Sequence, residues 1–332
     1  KPILGVGCVV LGTLIALGGP EVIKWTNRVL VTSLLIVGVI VVIISLTSVP
    51  ISAINAIKPD TSLYDTALGR FMLSAEGNVA FAFSWSTQAL VMPRLANTER
   101  SGYWATTLSY GFVAPFFVAA GGIMALAMFA KFGYYESDPT TMLAMLAGPA
   151  FSFLSLLMVA FANIGTQGTG SYVNCMIVKS GLPQIKYKTL VIISMFYVSF
   201  LTLWGWVMDN FGKFISCAAY IQGPIIGIIV VDYLIVKKRK ISFRSLYDIG
   251  EHHAYKFTNG FNLVGLGCIL ITFITAILFV YNPASGVIKS DIFMITTGSG
   301  FTAIMGGLLY WIAAMTPLRK YMLRDRNEIE FE

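Results

Sequence analysis

Nine long apolar stretches run through the 332-residue chain and leave little room for a water-soluble fold. A helix needs about 20 apolar residues to cross the hydrocarbon core of a bilayer. Proline and glycine turn signals, such as Gly18-Gly19-Pro20, separate the stretches. The pattern predicts an all-α integral membrane protein that forms a single transmembrane domain over residues 1–332. The predicted spans cover residues 3–19, 29–48, 76–93, 104–130, 149–176, 189–208, 214–236, 261–280 and 292–316.

The composition supports the prediction of an integral membrane protein. Hydrophobic residues make up 56% of the chain and charged residues 12%, and the mean hydropathy is +0.76. Soluble domains carry about 25% charged residues, so half of the usual solvating charge is missing. The four cysteines each lie alone in apolar surroundings, and His252 and His253 are adjacent in a polar loop. Neither pattern has the spacing of a metal site, so we expect no metal, no cofactor and no catalytic group.

The lysines and arginines divide unequally between the two sides of a nine-span topology. Cytoplasmic loops of membrane proteins are enriched in these residues. One side carries five, namely Lys58, Arg70, Lys131, Lys213 and Lys289. The other carries seventeen, namely Lys24, Arg28, Arg94, Arg100, Lys179, Lys186, Lys188, Lys237, Lys238, Arg239, Lys240, Arg244, Lys256, Arg319, Lys320, Arg324 and Arg326. We therefore expect a multi-pass protein of the cell (plasma or inner) membrane with a cytoplasmic C-terminus. The net charge of +7 then needs no nucleic acid as a partner, because the basic side faces lipid headgroups.

Polar side chains interrupt two of the predicted spans. The third contains Ser84, Trp85, Ser86, Thr87 and Gln88, and the fifth contains Asn163, Thr166 and Gln167 among several glycines. Polar groups in hydrocarbon are costly unless they are paired or serve a pathway. Glu76 lies near the end of its predicted span, so no formal charge is expected deep in the membrane. The two clusters predict a binding site for a neutral solute with several hydrogen-bonding groups.

Two side-chain types in these clusters suit a flat ring. Asn163 and Gln167 are four residues apart and so share one helix face, where their amides could meet a ring amide or amidine edge. The same amides could instead join neighbouring helices. Trp85 lies near mid-span rather than at the interface, so its indole could stack on a ring or could simply pack. The glycines at 165, 168 and 170 could unwind the helix or allow close packing.

Other classes of membrane protein remain as alternatives. An amino-acid or vitamin carrier of the same fold would also fit, because helix ends and backbone can bind charged groups without a charged lining. An integral-membrane enzyme is a remote alternative, since such chemistry usually needs clustered acids or histidines. A channel or structural subunit would not explain polar clusters that are confined to two spans.

The sequence resembles the nucleobase–cation symporters, a family of purine, cytosine, allantoin and hydantoin permeases. Ser84-Trp85-Ser86-Thr87 followed by Met92-Pro93 looks like the broken sixth helix of that family, which places a substrate-stacking Trp before a Pro. The residues Asn163 to Gln167 are similar to its eighth-helix motif, and Gly19 to Lys24 to its loop between helices four and five. Gly223 to Tyr233, followed by Lys237-Lys238 and Leu246-Tyr247, resembles the end of its tenth helix.

The resemblance implies a transporter with a five-plus-five inverted-repeat fold. The chain would cover helices four to twelve, with the three N-terminal helices apparently missing. It implies a symporter that imports a nucleobase or related planar nitrogen heterocycle, such as cytosine, a purine, allantoin or hydantoin, together with a coupling cation. Trp85 would stack on the substrate, and Gln167 would replace the substrate-binding Asn of the family. We predict a substrate site made of Ser84, Trp85, Ser86, Gln88, Asn163, Thr166 and Gln167, with Trp85 and Gln167 in one central cavity.

The coupling ion is where the sequence departs from sodium-coupled members. Those members carry hydroxyl ligands just before the position of Asn163, where this chain has Phe161 and Ala162. Arg94 also replaces an acidic residue that usually follows the Pro. We therefore expect a proton rather than sodium, carried by Glu76 or by the missing helices.

Overall fold

The computed structural model describes residues 2–62, 64–136, 138–241, 257–258 and 260–322. Several residues named above lie outside these ranges. They are Arg244, Leu246, Tyr247, His252, His253, Lys256, Arg324 and Arg326.

The described chain is almost entirely helical, and each predicted span falls on helix. The helices are α1 (Pro2–Leu17), α2 (Gly19–Ser48), α3 (Ile51–Asn55), α4 (Ala67–Ser84), α5 (Ser86–Val91), α6 (Glu99–Leu108), α7 (Ala114–Phe132), α8 (Pro139–Ala147), α9 (Pro149–Gly181), α10 (Tyr187–Leu203), α11 (Trp206–Asp209), α12 (Phe211–Val231), α13 (Leu263–Phe279), α14 (Phe293–Thr296) and α15 (Gly298–Ala314). Strands β1 (Tyr281–Asn282) and β2 (Val287–Ile288) form a small antiparallel hairpin.

Within the described residues, three helical segments are long and apolar enough to cross a membrane. They are Gly19–Ser48, Glu99–Phe132 and Phe211–Val236. Four shorter helices are also apolar, namely Ile3–Leu17, Tyr187–Leu203, Leu263–Phe279 and Gly298–Ala314. This agrees with a multi-pass membrane protein.

Two predicted spans differ from the helices that the structure shows. The third begins at Ala67 rather than at residue 76, because Thr66 caps the helix nine residues earlier by accepting a hydrogen bond from the backbone N–H of Gly69. The last span is interrupted at Thr297, whose φ of 60° lies in the left-handed region. The Thr297 side chain accepts from the N–H of Gly300 and so starts α15.

The segment Glu99–Phe132 is continuous helix with a local widening. A π-helical turn at Ser109–Val113 joins α6 to α7. Pro115 follows this turn and has no N–H for the carbonyl of Gly111, so the regular hydrogen-bond ladder cannot continue there. The segment ends at Gly133, whose φ of 79° suits a residue without a side chain.

The chain divides into two compact units. The first comprises Lys1–Asp60 and Thr87–Asp209. In it, α2, α7 and α8 share an apolar cluster that includes Val41, Met128 and Leu143. A second cluster, with Ala16, Cys175 and Val191, joins α1, α9 and α10.

The second unit comprises Thr61–Ser86 and Asn210–Glu332. Its closest helix pair is α12 with α15, which approach through glycines. A Cβ placed on Gly227 would lie 1.9 Å from the carbonyl oxygen of Ala303, and one placed on Gly306 would lie 2.6 Å from Pro224. The tenth-helix motif Gly223 to Tyr233 therefore has a packing role in the described structure.

Candidate functional site

The predicted break in the third span lies at Trp85. Helix α4 ends at Ser84, α5 begins at Ser86, and Trp85 between them has φ −97° and ψ 4°, outside the helical region. The indole is half-buried, and its ring centroid lies 6.1 Å from that of Phe81 at a tilt of 51°. The break places an aromatic side chain where backbone groups are freed from the helix ladder.

The two serines beside Trp85 have different partners within the second unit. The hydroxyl of Ser84 donates to the carbonyl of Phe81 at 2.7 Å, which completes the end of α4. The hydroxyl of Ser86 donates to the side-chain carbonyl of Gln222 at 3.2 Å. Gln222 was not predicted, although an amide beside Gly223-Pro224 in an apolar run was a signal that could have found it. Its amide N–H groups remain near the helix break as hydrogen-bond donors.

Gln167 lies on the face of α9 that packs against α1. Its Nε2 donates to the hydroxyl of Ser171 at 3.1 Å. A Cβ on Gly12 would lie 2.7 Å from its Cβ, so α1 and α9 touch closely at this point. The half-buried Gln167 therefore has a packing contact as well as a polar one.

Asn163 and Thr166 are exposed on α9. Within the described part of the chain, neither side chain makes a hydrogen bond. Their amide and hydroxyl groups are therefore available to another molecule. This pair, rather than Asn163 with Gln167, forms the open polar face of the helix.

Gln88 is the polar site residue of the third span that comes near α9 within the first unit. Its Nε2 lies 3.9 Å from the position that a Cβ would take on Gly170. Helix α9 continues unbroken through residues 165, 168 and 170. Close packing, rather than unwinding, explains Gly165, which faces Leu30, and Gly168, which faces Ile15.

Asn27 and Thr169 form a polar contact between α2 and α9 that sequence reasoning did not single out. The Asn27 Nδ2 lies 3.2 Å from the Thr169 hydroxyl, and its Oδ1 lies 3.3 Å from the same oxygen. The distances allow Asn27 to donate or to accept. Thr169 is thus engaged by a helix partner.

Glu76 corrects the expectation that formal charge stays out of the helix interiors. Because α4 begins at Ala67, Glu76 lies at mid-helix, and the side chain is only 2% exposed. Its carboxylate accepts from the backbone N–H of Ser299 at 2.9 Å and from the Ser299 hydroxyl at 2.8 Å. Sequence hydropathy missed this helix start because Arg70 and Ser74 dilute the first two turns.

The predicted site residues are distributed over both units. Ser84, Trp85 and Ser86 belong to the second unit, and Gln88, Asn163, Thr166 and Gln167 belong to the first. The expectation that Trp85 and Gln167 share one cavity therefore stays a prediction.

The chain is similar to several curated permeases. It is 25% identical to the purine-uracil permease of Arabidopsis thaliana over 73% of this chain and 42% of that protein. It is 24% identical to the allantoin permease of Bacillus subtilis over 70% of this chain and 47% of that protein. A putative allantoin permease of Escherichia coli strain K12 is 25% identical over 38% of this chain and 27% of that protein. The chain spans less than half the length of these relatives.

The fold is similar to that of a solved transporter. Mhp1, a nucleobase-cation-symport-1 family transporter in a closed conformation with bromovinylhydantoin bound, aligns with a TM-score of 0.60 and 19% identity. The alignment covers 96% of this chain and 68% of Mhp1, which confirms the predicted transporter fold. Residues 8–312 match the family described as permease for cytosine/purines, uracil, thiamine, allantoin. The chain belongs to this permease family.

Proposed function

We propose that the intact protein is a secondary active transporter, a symporter that imports a nucleobase or a related planar nitrogen heterocycle such as cytosine, a purine, allantoin or hydantoin. Family membership and the Mhp1-like fold support this proposal. The named relatives handle purines, uracil or allantoin, and Mhp1 holds a hydantoin. The protein acts as a carrier and not as an enzyme.

The helix break at Trp85 is the observation that carries the proposal. It presents a half-buried indole between two serines in a predicted membrane span. Stacking of a base on an aromatic side chain contributes about 1–3 kcal/mol and tolerates different rings. The Ser86–Gln222 pair adds amide donors beside the indole. This combination suits a flat, uncharged ring with polar edges.

The proposed substrate contacts divide by chemistry. Trp85 stacks on the ring, and the side chains of Ser84, Ser86 and Gln88 provide polar groups near it. On α9, Asn163 and Thr166 are open to a ligand, and Gln167 presents the carbonyl that its bond to Ser171 leaves free. Uncharged donors and acceptors favour a neutral heterocycle over an amino acid, whose two charges would need counter-charges or helix ends.

A panel of radiolabelled solutes tests the substrate class. The intact protein is reconstituted in proteoliposomes, and uptake of cytosine, uracil, a purine, allantoin, a hydantoin, thiamine and three amino acids is compared. We expect uptake of at least one heterocycle and of none of the amino acids. Uptake restricted to amino acids or to thiamine would favour the alternative carrier of the same fold.

We further propose that a proton, rather than sodium, is the coupling cation. Sodium needs several hard oxygen ligands, and Phe161 and Ala162 offer no side-chain oxygen before Asn163. The hydroxyls of Thr166 and Thr169 follow Asn163 by about one and two turns of helix, and that of Thr169 is engaged by Asn27. Glu76 is a buried carboxylate in a predicted span, and such groups often serve proton or ion pathways.

The titratable groups that face Glu76 are two phenols, Tyr220 of α12 and Tyr281 of the hairpin. Protonation would turn one acceptor oxygen of Glu76 into a donor. The Ser299 hydroxyl would then accept from that oxygen instead of donating to it, whereas the Ser299 N–H would still donate to the other oxygen. This gives proton binding a direct effect on the α4–α15 contact.

Ion replacement tests the coupling. Uptake is measured in proteoliposomes with sodium replaced by potassium, with and without an imposed pH gradient. We expect uptake to depend on the pH gradient and to be unchanged when sodium is replaced by potassium. Loss of uptake on sodium removal at a constant pH gradient would contradict the proposal.

We also propose that the C-terminus is cytoplasmic in the cell membrane. The basic residues of the predicted cytoplasmic side that the structure describes include Lys24, Arg100, Lys186 and Lys238, whereas Lys58 and Lys289 lie on the other predicted side. The excess of lysine and arginine on one side supports this orientation.

A further inference from the structure

A groove of about 350 Å³ lies on the second unit between α12 and α13. Its walls are apolar apart from one amide, and they include Ile225, Ile229, Phe261, Leu266, Ile269 and the amide-bearing Asn262. Phe261 is 63% exposed and Leu266 is 51% exposed. A groove with this lining suits a hydrocarbon chain rather than a polar solute.

A chain of polar contacts leads from one end of the groove to a basic turn. The Nδ2 of Asn262 donates to the hydroxyl of Tyr310 at 3.1 Å, and that hydroxyl donates to Asp232 Oδ1 at 3.2 Å. The other carboxylate oxygen of Asp232 pairs with Lys237. Because these groups are only partly exposed, this series of polar contacts fixes the position of the basic turn relative to the groove.

The basic turn comprises Lys237, Lys238, Arg239 and Lys240, and it follows a π-helical turn at Asp232–Val236. Lys238 and Arg239 have φ of 52° and 61°, a left-handed conformation that is uncommon for residues other than glycine. Backbone bonds hold it, with the N–H of Arg239 donating to the carbonyl of Tyr233 at 2.7 Å.

The charge on this turn is largely unneutralised. Lys237 is paired with Asp232, whereas Lys238, Arg239 and Lys240 are exposed and have no ion pair within the described residues. Eight residues separate Ile229 in the groove from Lys237, which corresponds to about 12 Å along a helix. A single phospholipid can span this distance with its acyl chain on the groove and its headgroup at the turn.

We propose that the α12–α13 groove binds one acyl chain of an anionic phospholipid whose phosphate is held by Lys238, Arg239 and Lys240. The apolar walls match the acyl chain, and the three cations, which have no ion pair within the described residues, match the headgroup. Juxtamembrane lysines and arginines attract anionic lipids, and each contributes on the order of a fivefold gain in affinity. Asn262 lies between the two parts and can hydrogen-bond the ester region. A zwitterionic lipid would fill the groove equally well but would gain little from the turn.

Native mass spectrometry of the purified protein tests this site. The protein is titrated with dioleoylphosphatidylglycerol and, separately, with dioleoylphosphatidylcholine. We expect the anionic lipid to bind about tenfold tighter or more. The triple variant Lys238→Ala, Arg239→Ala and Lys240→Ala should lose that preference, and Leu266→Trp, which fills the groove, should weaken binding of both lipids.

A matched control removes the same charges elsewhere. Arg100, Lys186 and Lys188 are exposed in the first unit, and their triple alanine variant should keep the preference for the anionic lipid. Circular dichroism melts should show that all variants are folded. Equal binding of both lipids by the parent, or loss of the preference in the control variant, would overturn the proposal.

Displacement separates a lipid from a free anion. Millimolar inorganic phosphate should not release the bound phosphatidylglycerol. If phosphate releases it and Leu266→Trp has no effect, the turn is an inorganic-anion site and the lipid proposal is wrong. These measurements involve no uptake, so this inference and the transport proposal can fail independently.

Discussion

The carboxylate of Glu76 accepts two hydrogen bonds from Ser299, one from the backbone N–H at 2.9 Å and one from the hydroxyl at 2.8 Å. Ser299 lies in the first turn of α15, where N–H groups have no partner within the helix. Glu76 satisfies one of these groups and ties the middle of α4 to the start of α15. Helix α4 is therefore anchored by a buried ionisable residue about two and a half turns before the break at Trp85.

The glycine contact between α12 and α15 predicts a large effect of a small substitution. In Gly227→Ala the new methyl group would meet the backbone oxygen of Ala303 at 1.9 Å, so the helices must separate. We expect a loss of stability of about 1–3 kcal/mol, seen as a lower thermal midpoint in detergent. Gly267→Ala in α13 is the control, because a Cβ there meets nothing within 4 Å. Equal midpoints for the two variants would contradict the close approach.

Sequence reasoning found the helices because a span of about 20 apolar residues is a strong signal that depends on no tertiary contact. It also found the break at Trp85, through a resemblance whose residues stand together in the chain. It missed the Glu76–Ser299 pair and the Ser86–Gln222 pair, whose partners are far apart in sequence. It placed Asn163 and Gln167 on one helix face and left open whether that face binds a ring or a neighbouring helix, because spacing alone cannot tell which side of α9 meets α1. The tight contact at Gly12 decides that question.

Replacement of Trp85 tests the stacking role. Trp85→Ala should weaken substrate binding by roughly tenfold or more, since stacking contributes about 1–3 kcal/mol. Trp85→Phe should restore part of the affinity. Trp104, which is 48% exposed on α6, is the control, and Trp104→Ala should bind as the parent does. Scintillation proximity binding with the preferred base measures all three variants, and an unchanged affinity of Trp85→Ala would assign the indole to packing.

The side-chain amides of Asn163 and Gln167 on α9 should distinguish bases by the hydrogen-bond donors and acceptors on the edge of the ring. Asn163→Ala and Gln167→Ala should each cost about 1–3 kcal/mol for bases that use the lost group, and less for the others, because an unmatched buried polar group is costly. The order of affinities over a panel of purines and pyrimidines should therefore change. Ser171→Ala keeps the Gln167 amide and should keep the order. If every base of the panel binds to all three variants with the parental affinity, Asn163 and Gln167 have only a packing role.

Cysteine accessibility tests the orientation. In a background without Cys8, Cys175, Cys217 and Cys268, single cysteines are introduced as Lys58→Cys, Ser285→Cys, Lys238→Cys and Arg324→Cys. Because the excess of positive charge marks the cytoplasmic side, a membrane-impermeant maleimide added to sealed, right-side-out cells should label the first two and spare the last two. Permeabilised cells should label Lys238→Cys, which shows that its thiol can react. Labelling of Lys238→Cys in sealed cells would contradict the predicted orientation and place the C-terminus outside.

Substitution of Glu76 tests whether the buried carboxylate carries the coupling proton. Glu76→Gln keeps the shape but cannot gain or lose a proton, and its amide can accept from the Ser299 N–H while it donates to the Ser299 hydroxyl oxygen. We expect the variant to exchange labelled substrate across the membrane but to lose accumulation driven by a pH gradient. Its thermal midpoint should stay close to that of the parent, because both Ser299 groups keep a hydrogen-bond partner.

Ser299→Ala separates proton transfer from helix capping. This variant removes the hydroxyl donor at 2.8 Å and leaves both the carboxylate and the backbone N–H contact in place. A capping role predicts that Ser299→Ala loses stability and that both variants still accumulate substrate when the pH gradient is imposed. A proton-carrying role predicts that Ser299→Ala keeps accumulation while Glu76→Gln loses it. Accumulation by Glu76→Gln at the parental level would exclude Glu76 as the proton carrier.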